Sequence, residues 1–197
     1  MMNNQDENQV KEKESSALVL EKLLNSRSII ISGEINQTLA EKVSTQLLIL
    51  QEMSDEPIKL FINSQGGHVE AGDTIHDMIK FVKPRVIVIG TGWVASAGIT
   101  IYLAANKEDR YSLPNTRYMI HQPLGGFQGQ ATDIGIEAEE ILRMRKRINT
   151  IISEATGQPL EKIDKDTDRN YWLSSSDAVE YGIVNKVISK YDELENL

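Results

Sequence analysis

The chain alternates between segments with apolar residues at helical spacing and short continuous apolar runs, and the order of those blocks predicts its elements. Residues 1 to about 15 carry almost no apolar side chains, and such a stretch is expected to be mobile when alone. Leu18, Val19, Leu20, Leu23 and Leu24 then mark a short amphipathic helix, and Ile29 to Ile31 read as a buried strand. Asn36 is placed to cap a helix whose apolar stripe is Leu39, Val43, Leu47 and Leu50. Ile58 to Ile62 form the next strand, followed by a glycine turn and a helix carrying Ile75, Met78, Ile79 and Val82, which Pro84 ends. Val86 to Ile89 read as a third strand and residues 94–105 as a very apolar helix.

The second half continues with a strand over Arg117 to Ile120 and a long helix over Thr132 to Thr156. Ser174 to Asp177 form a capping-box start to a short helix, and Ile183 to Ile188 a final strand. Strand and helix in alternation with short connections predict an α/β fold with a parallel sheet covered by helices. At 197 residues, one domain over residues 16–197 is expected. The long helix would reach about 37 Å at 1.5 Å per residue. With the extended, glycine-rich Gln122 to Gln130 before it, that projection is too long to bury within one small domain and is expected to dock on a copy of itself.

Composition narrows the classes. Apolar residues at 40% and charged residues at 25% are ordinary for a soluble globular protein. A net charge of −8 without a basic run argues against general nucleic-acid binding. No segment approaches the roughly 20 apolar residues of a membrane span, and the polar start is unlike a secretory signal, so a cytoplasmic protein without membrane contact is expected. The absence of cysteine excludes disulfides and thiolate metal sites. No histidine spacing indicates zinc. Asp164, Asp166 and Asp168 alternate as in a calcium loop, but Arg169 and Ser175 stand where that loop needs glycine and glutamate, so a solvated, ion-paired turn is expected.

Three positions carry candidate chemistry. Ser96 lies among Ala95, Ala97 and Gly98 at the mouth of an apolar helix, where small neighbours admit a substrate backbone and helix-start N–H groups can hold a negative oxygen. Taken alone, such a serine is more often a packing or capping residue. Asn63 to Gly67 join a strand to a helix, and the paired glycines suit either an oxyanion hole or a plain tight turn. The nucleotide-loop spacings are absent. His121 ends a strand before Gln122-Pro123, where a lone histidine is more often structural. Of the other histidines, His68 directly follows Gly67, and His76 falls on an amphipathic helix as a surface or core-edge residue.

In one register from Leu18 to Ile188, these segments closely resemble the ClpP family of ATP-dependent serine proteases. The resemblance rests on Ile62 to Gly67, on the small-residue segment around Ser96, and on the long run from Leu113 to Ile134 around His121. It continues through Thr167 to Ser174 and Ala178 to Val184. It implies the ClpP/crotonase-type fold of repeated ββα units with a protruding strand-helix handle, and two stacked seven-membered rings around a chamber. It implies Ser96 as nucleophile, His121 as general base, and the backbone N–H groups of Gly67 and Ala97 as oxyanion hole. Gln122 to Gln130 with the long helix match the ring-joining handle. Gln130 falls in this ring-contact segment, and Asp168 and Arg169 match the charged pair that couples ring contact to the site. The implied partners are further copies of the chain, a hexameric AAA+ unfoldase of the ClpX or ClpC type, a second ClpP paralogue, and unfolded protein substrates. The unfoldase hydrolyses the ATP; the peptidase itself needs no nucleotide and no metal.

The departures are as informative. Asn170 stands where the family has its catalytic aspartate. An amide can orient a histidine but cannot stabilise an imidazolium with a full charge. Gln65 replaces a proline before the glycines, which is expected to loosen the turn that aims Gly67, and Trp93 and Val94 are bulkier than usual beside the nucleophile. The polar N-terminus lacks the apolar start of the family's axial segment. Two functions follow: a peptidase with low intrinsic activity from a Ser-His-Asn triad, or a largely non-catalytic structural subunit of a mixed barrel beside a catalytic paralogue. A crotonase-like acyl-CoA enzyme shares the fold but requires neither Ser96 nor His121.

Overall fold

The computed structural model describes residues 17–195; the segment expected to be mobile, residues 1–15, lies outside them. A helix over residues 17–25 (α1) precedes β1 (Ser28–Ile35), α2 (Gln37–Met53), β2 (Ile58–Gly67), α3 (Val69–Phe81), β3 (Val86–Ala95) and α4 (Ala97–Tyr102). A 3-10 turn, Lys107–Asp109, leads into β4 (Arg110–Ser112), then β5 (Arg117–Ile120), α5 (Ala131–Thr156), α6 (Leu160–Asp166), β6 (Tyr171–Ser174), α7 (Ser175–Tyr181), β7 (Lys186–Val187) and α8 (Asp192–Glu195). Strands β1-β2-β3-β4-β7 form a parallel sheet in that order. Among the described residues, no helix is long and apolar enough to cross a membrane.

The sheet divides at β3. Its first half, Val88 to Gly90, pairs with β4, while its second half, Trp93 to Ala95, pairs in parallel with β5. Strand β5 in turn pairs antiparallel with β6. The main core fills the space between sheet and helices, with Ile31, Leu47, Leu60, Ile75 and Ile101 inaccessible to solvent. Parallel strands covered on their faces account for the unbroken runs Ile29 to Ile31 and Val86 to Ile89.

The structure corrects several expectations. Residues 63–67 are not a turn but the second half of β2, because β1 continues to pair with them through Glu34–Gly66 and Ile35–Gly67 after a register shift. Val94 and Ala95 belong to β3 rather than to the apolar helix, which starts only at Ala97, since Ser96 adopts a backbone conformation that neither strand nor helix can continue. Strands β4 and β6 escape sequence reading because each is three or four residues long and gains its ladder from distant partners. The last strand shrinks to Lys186–Val187. Residues 160–166 are helical, so Asp164 and Asp166 lie on α6, not on a turn; Asp166 pairs with Lys162 at 2.5 Å.

Helix α5 spans 26 residues, and its buried positions begin only at Ile148, so the part before it projects from the body. Helix α2 is capped as expected: the Leu39 N–H donates to Asn36 Oδ1 at 2.9 Å. Replacing that acceptor by Asn36→Ala should lower stability by about 1 kcal/mol, while Asn36→Ser should cost little. Urea unfolding measures both, and equal midpoints for all three proteins would show that the cap contributes nothing.

Candidate active site

Ser96 is the hinge between β3 and α4. Its φ of 55° and ψ of −123° place a non-glycine residue in left-handed space, a conformation that costs on the order of 1–3 kcal/mol and persists only where the surroundings enforce it. Two neighbours enforce it. The Ser96 N–H donates to the Met119 carbonyl of β5 at 3.0 Å, and Gly66 of β2 lies directly against the side chain. A Cβ at Gly66 would stand 2.5 Å from Ser96 Cβ and 2.9 Å from the Ala95 carbonyl, so glycine is required there for contact as well as for its φ of 99°. The Gly66 N–H donates to Ser64 Oγ at 3.0 Å, and that hydroxyl donates to the Gly33 carbonyl, which holds the bulged ends of β1 and β2 together.

Register brings the three candidate residues into one place. Parallel pairing sets Ala95 beside Met119, so Ser96 and His121 leave the ends of neighbouring strands. Antiparallel pairing sets Ile120 opposite Tyr171, so the next residues outward, His121 and Asn170, also meet. His121 Nε2 lies 2.8 Å from Ser96 Oγ. The Asn170 side chain hydrogen-bonds to the same imidazole. With Nε2 accepting the serine proton, Nδ1 is left to carry the hydrogen on the side open to Asn170. The loop bearing Asn170 is tied back to the histidine segment: the Gln122 N–H donates to the Thr167 carbonyl at 2.6 Å, and Gln122 Nε2 donates to the Asp168 carbonyl at 2.8 Å.

Burial lowers the pKa of His121, and the Asn170 hydrogen bond opposes that shift only in part. Neutral imidazole, the form that can accept a proton, is thus present at lower pH than for a free histidine. A narrow apolar recess opens beside the pair, with Val69, Ile120, Pro123, Ile148 and Ile152 in its walls. Ala97 is the first residue of α4, where a helix leaves its N–H groups without intrahelical partners. Gly67, at φ 152°, packs against the Ile35 backbone on the neighbouring strand.

Other expectations fall differently. Gln65 does not leave its segment loose: with its carboxamide turned so that both atoms find partners, it donates to the Gly33 carbonyl and accepts from the Glu34 N–H, both at 3.3 Å, at the β1 bulge. Trp93 stacks on Trp172, rings 6.3 Å apart and 7° from parallel, with the Arg117 guanidinium 4.2 Å over the Trp172 ring. The extra bulk at Trp93 is therefore directed at β6 and away from Ser96, and Val94 is buried in the core. His76 is buried rather than at the surface, with Nδ1 2.6 Å from the Thr100 carbonyl. His68 is exposed and faces Glu70 at 3.3 Å, remote from the proton-transfer pair in its bonding. Asp168 lies 3.6 Å from Arg145 of α5, joining the Asn170 loop to the projecting helix. Gln130 stands at the N-terminus of that helix, and its side chain makes no cap bond.

The chain also has close relatives among known proteins. The chain is 58% identical over 172 residues to the ATP-dependent Clp protease proteolytic subunit 3 of Rhizobium etli, covering 87% of this chain and 89% of that protein. It is 52% identical over 178 residues to proteolytic subunit 2 of Pseudomonas aeruginosa, covering 90% and 89%. Among solved structures, ClpP1 of Listeria monocytogenes superposes with a TM-score of 0.82 at 65% identity, covering 89% of this chain and 99% of that one. An asparagine-to-aspartate mutant of the same protein superposes with a TM-score of 0.84. Residues 11–191 match the family model described as Clp protease, and the chain belongs to that family.

Proposed function

We propose that this chain is a Clp-type serine endopeptidase subunit whose triad is Ser96, His121 and Asn170, with low activity on its own. The observation that carries this reading is the 2.8 Å approach of His121 Nε2 to Ser96 Oγ at a strained strand-to-helix hinge. The Ser96 hydroxyl attacks the scissile carbonyl while His121 takes its proton, forming a tetrahedral intermediate. The negative oxygen is held by the backbone N–H groups of Gly67 and Ala97. His121 then protonates the leaving amine, and water releases the acyl group by the same steps in reverse order. Every proton is moved by His121, so the reaction calls on no metal or nucleotide in this subunit.

Asn170 sets the rate. It orients the imidazole but carries no charge to balance the imidazolium formed in the transition state. In trypsin-like enzymes the corresponding change lowers turnover about 10⁴-fold, equivalent to roughly 5.5 kcal/mol of barrier. The projecting α5, the Gln122 to Gln130 segment and the Asp168–Arg145 contact support assembly into stacked rings, with Asp168 and Arg169 relaying ring contact to the site. A cytoplasmic AAA+ unfoldase would supply unfolded substrates. The alternative, a structural subunit beside a catalytic paralogue, is favoured by Asn170 alone; the intact Ser96–His121 bond favours the peptidase.

A fluorophosphonate should modify the purified protein once, and Ser96→Ala should abolish the mass shift. Asn170→Asp should raise kcat/KM for peptides by about 10²- to 10⁴-fold. No gain from a correctly assembled variant would favour the structural reading. The same variant should move the acid limb of the pH–rate profile upward. A carboxylate stabilises imidazolium and raises the His121 pKa, whereas in the parent burial keeps it below the usual histidine value. Gly66→Ala should eliminate labelling, because the added methyl group displaces Ser96; retained labelling would show that the hinge does not depend on that contact.

A further inference from the structure

Away from the proton-transfer pair, α3, the 3-10 turn and the last turns of α5 enclose an open cavity of about 290 Å³. Its lining includes His76, Lys80, Lys107, Glu108, Arg110 and Glu154, none of which takes part in the chemistry above. Two of them are buried: Arg110 is 4% exposed and His76 is 6% exposed. The Arg110 guanidinium donates from Nε to the Ala105 carbonyl at 2.9 Å and from Nη1 to the Ala155 carbonyl at 2.8 Å. Both acceptors also line the cavity, which places the guanidinium in its wall.

No carboxylate among the described residues forms a salt bridge with Arg110. Asp109, next to it in the chain, turns instead to Arg85 at 2.5 Å. Tying α5 and the loop after α4 to β4 through two carbonyls needs hydrogen-bond donors but not a full charge, and a buried charge is costly unless an anion meets it. Burial lowers the Arg110 pKa, with Glu108 and Asp109 near enough to oppose that shift only in part. His76 is held in place by the Thr100 carbonyl, which can only accept, so Nδ1 carries the hydrogen. Lys80 and Lys107 on the rim make no ion pair within the described residues. The rim and wall together hold three cationic side chains against two anionic ones, in a chain whose net charge is −8.

We propose that this cavity binds a small oxyanion, the carboxylate or phosphate group of a compact ligand. Arg110 meets its charge from the wall and Lys80 and Lys107 close on it from the rim. His76, fixed by its Nδ1 bond to the Thr100 carbonyl, shapes the wall beside the guanidinium. An exchange of a guanidinium's hydration for a bidentate oxyanion pair is the geometry for which arginine is suited.

The test is calorimetric titration of the full-length assembled protein at fixed ionic strength with sodium phosphate and, separately, with N-acetylalanine. Saturable binding of either, weakened about tenfold by K80A/K107A and unchanged by K42A on an exposed face of α2, supports the proposal. Tighter phosphate binding identifies a phosphate ligand, and tighter N-acetylalanine binding a peptide or amino-acid carboxylate. Because these variants keep Arg110 and its two carbonyl bonds, they leave the fold intact. Crystals soaked in selenate should show an anomalous peak at the guanidinium. The proposal is overturned by the absence of saturable heat up to about 10 mM ligand, or by equal affinity in the rim double variant. A carboxylate from a neighbouring copy seated on Arg110 in the assembled particle overturns it too. None of these readouts depends on Ser96, so failure here and failure of the peptidase reading are separable.

Discussion

The site depends on one close contact, the packing of Gly66 against Ser96. The serine hydroxyl reaches His121 only because the chain reverses at Ser96 in a left-handed conformation, and that conformation survives because β2 offers no side chain at Gly66 while β5 offers the Met119 carbonyl. The bulged ends of β1 and β2 are what bring Gly66 there. Ser64 and Gln65 both bind the Gly33 region, one by its hydroxyl and one by its carboxamide, so the glycine is supported from two directions. Strain at Ser96 is thus balanced by hydrogen bonds one strand away.

The second constraint is the antiparallel pairing of β5 with β6. All other strand pairs are parallel, and a parallel partner would have carried the chain away from His121 at this end. The reversal places Asn170 directly beyond Tyr171, against the imidazole. The Trp93–Trp172–Arg117 stack covers the outer side of the same three strands, joining β3, β6 and β5 through side chains that sequence alone would assign to no common site. Hydrogen bonds from Gln122 to the Thr167 and Asp168 carbonyls then fix the loop. Geometry here is well supported, and Asn170 brings no charge to it.

That separation of geometry from charge explains how the chain can keep a hydrogen-bonded serine–histidine pair with an asparagine. A carboxamide satisfies the directional requirement of Nδ1–H and leaves the base neutral over a wider pH range, since burial lowers its pKa and no carboxylate restores it. The ground state therefore looks complete. In the peptidase proposed above, the deficit would lie in the transition state, where an imidazolium would form in a half-buried setting without a counter-charge.

The sequence by itself determined the α/β class, the long helix and the caps at Asn36 and Ser174, and it singled out Ser96, His121 and Asn170 as candidates, because these are local or are carried by specific motifs. Helical periodicity and capping depend on neighbours a few residues away, and the chain states them directly. Tertiary structure alone decided the extension of β2 to Gly67, the late start of the helix after Ser96, the short strands β4 and β6, and the compensating role of Gln65. Each rests on partners roughly twenty or more residues distant, whose pairing energy overrides local turn and helix preferences. The burial of His76 and Arg110 around one cavity belongs to the same class, since only packing brings α3, β4 and the end of α5 together.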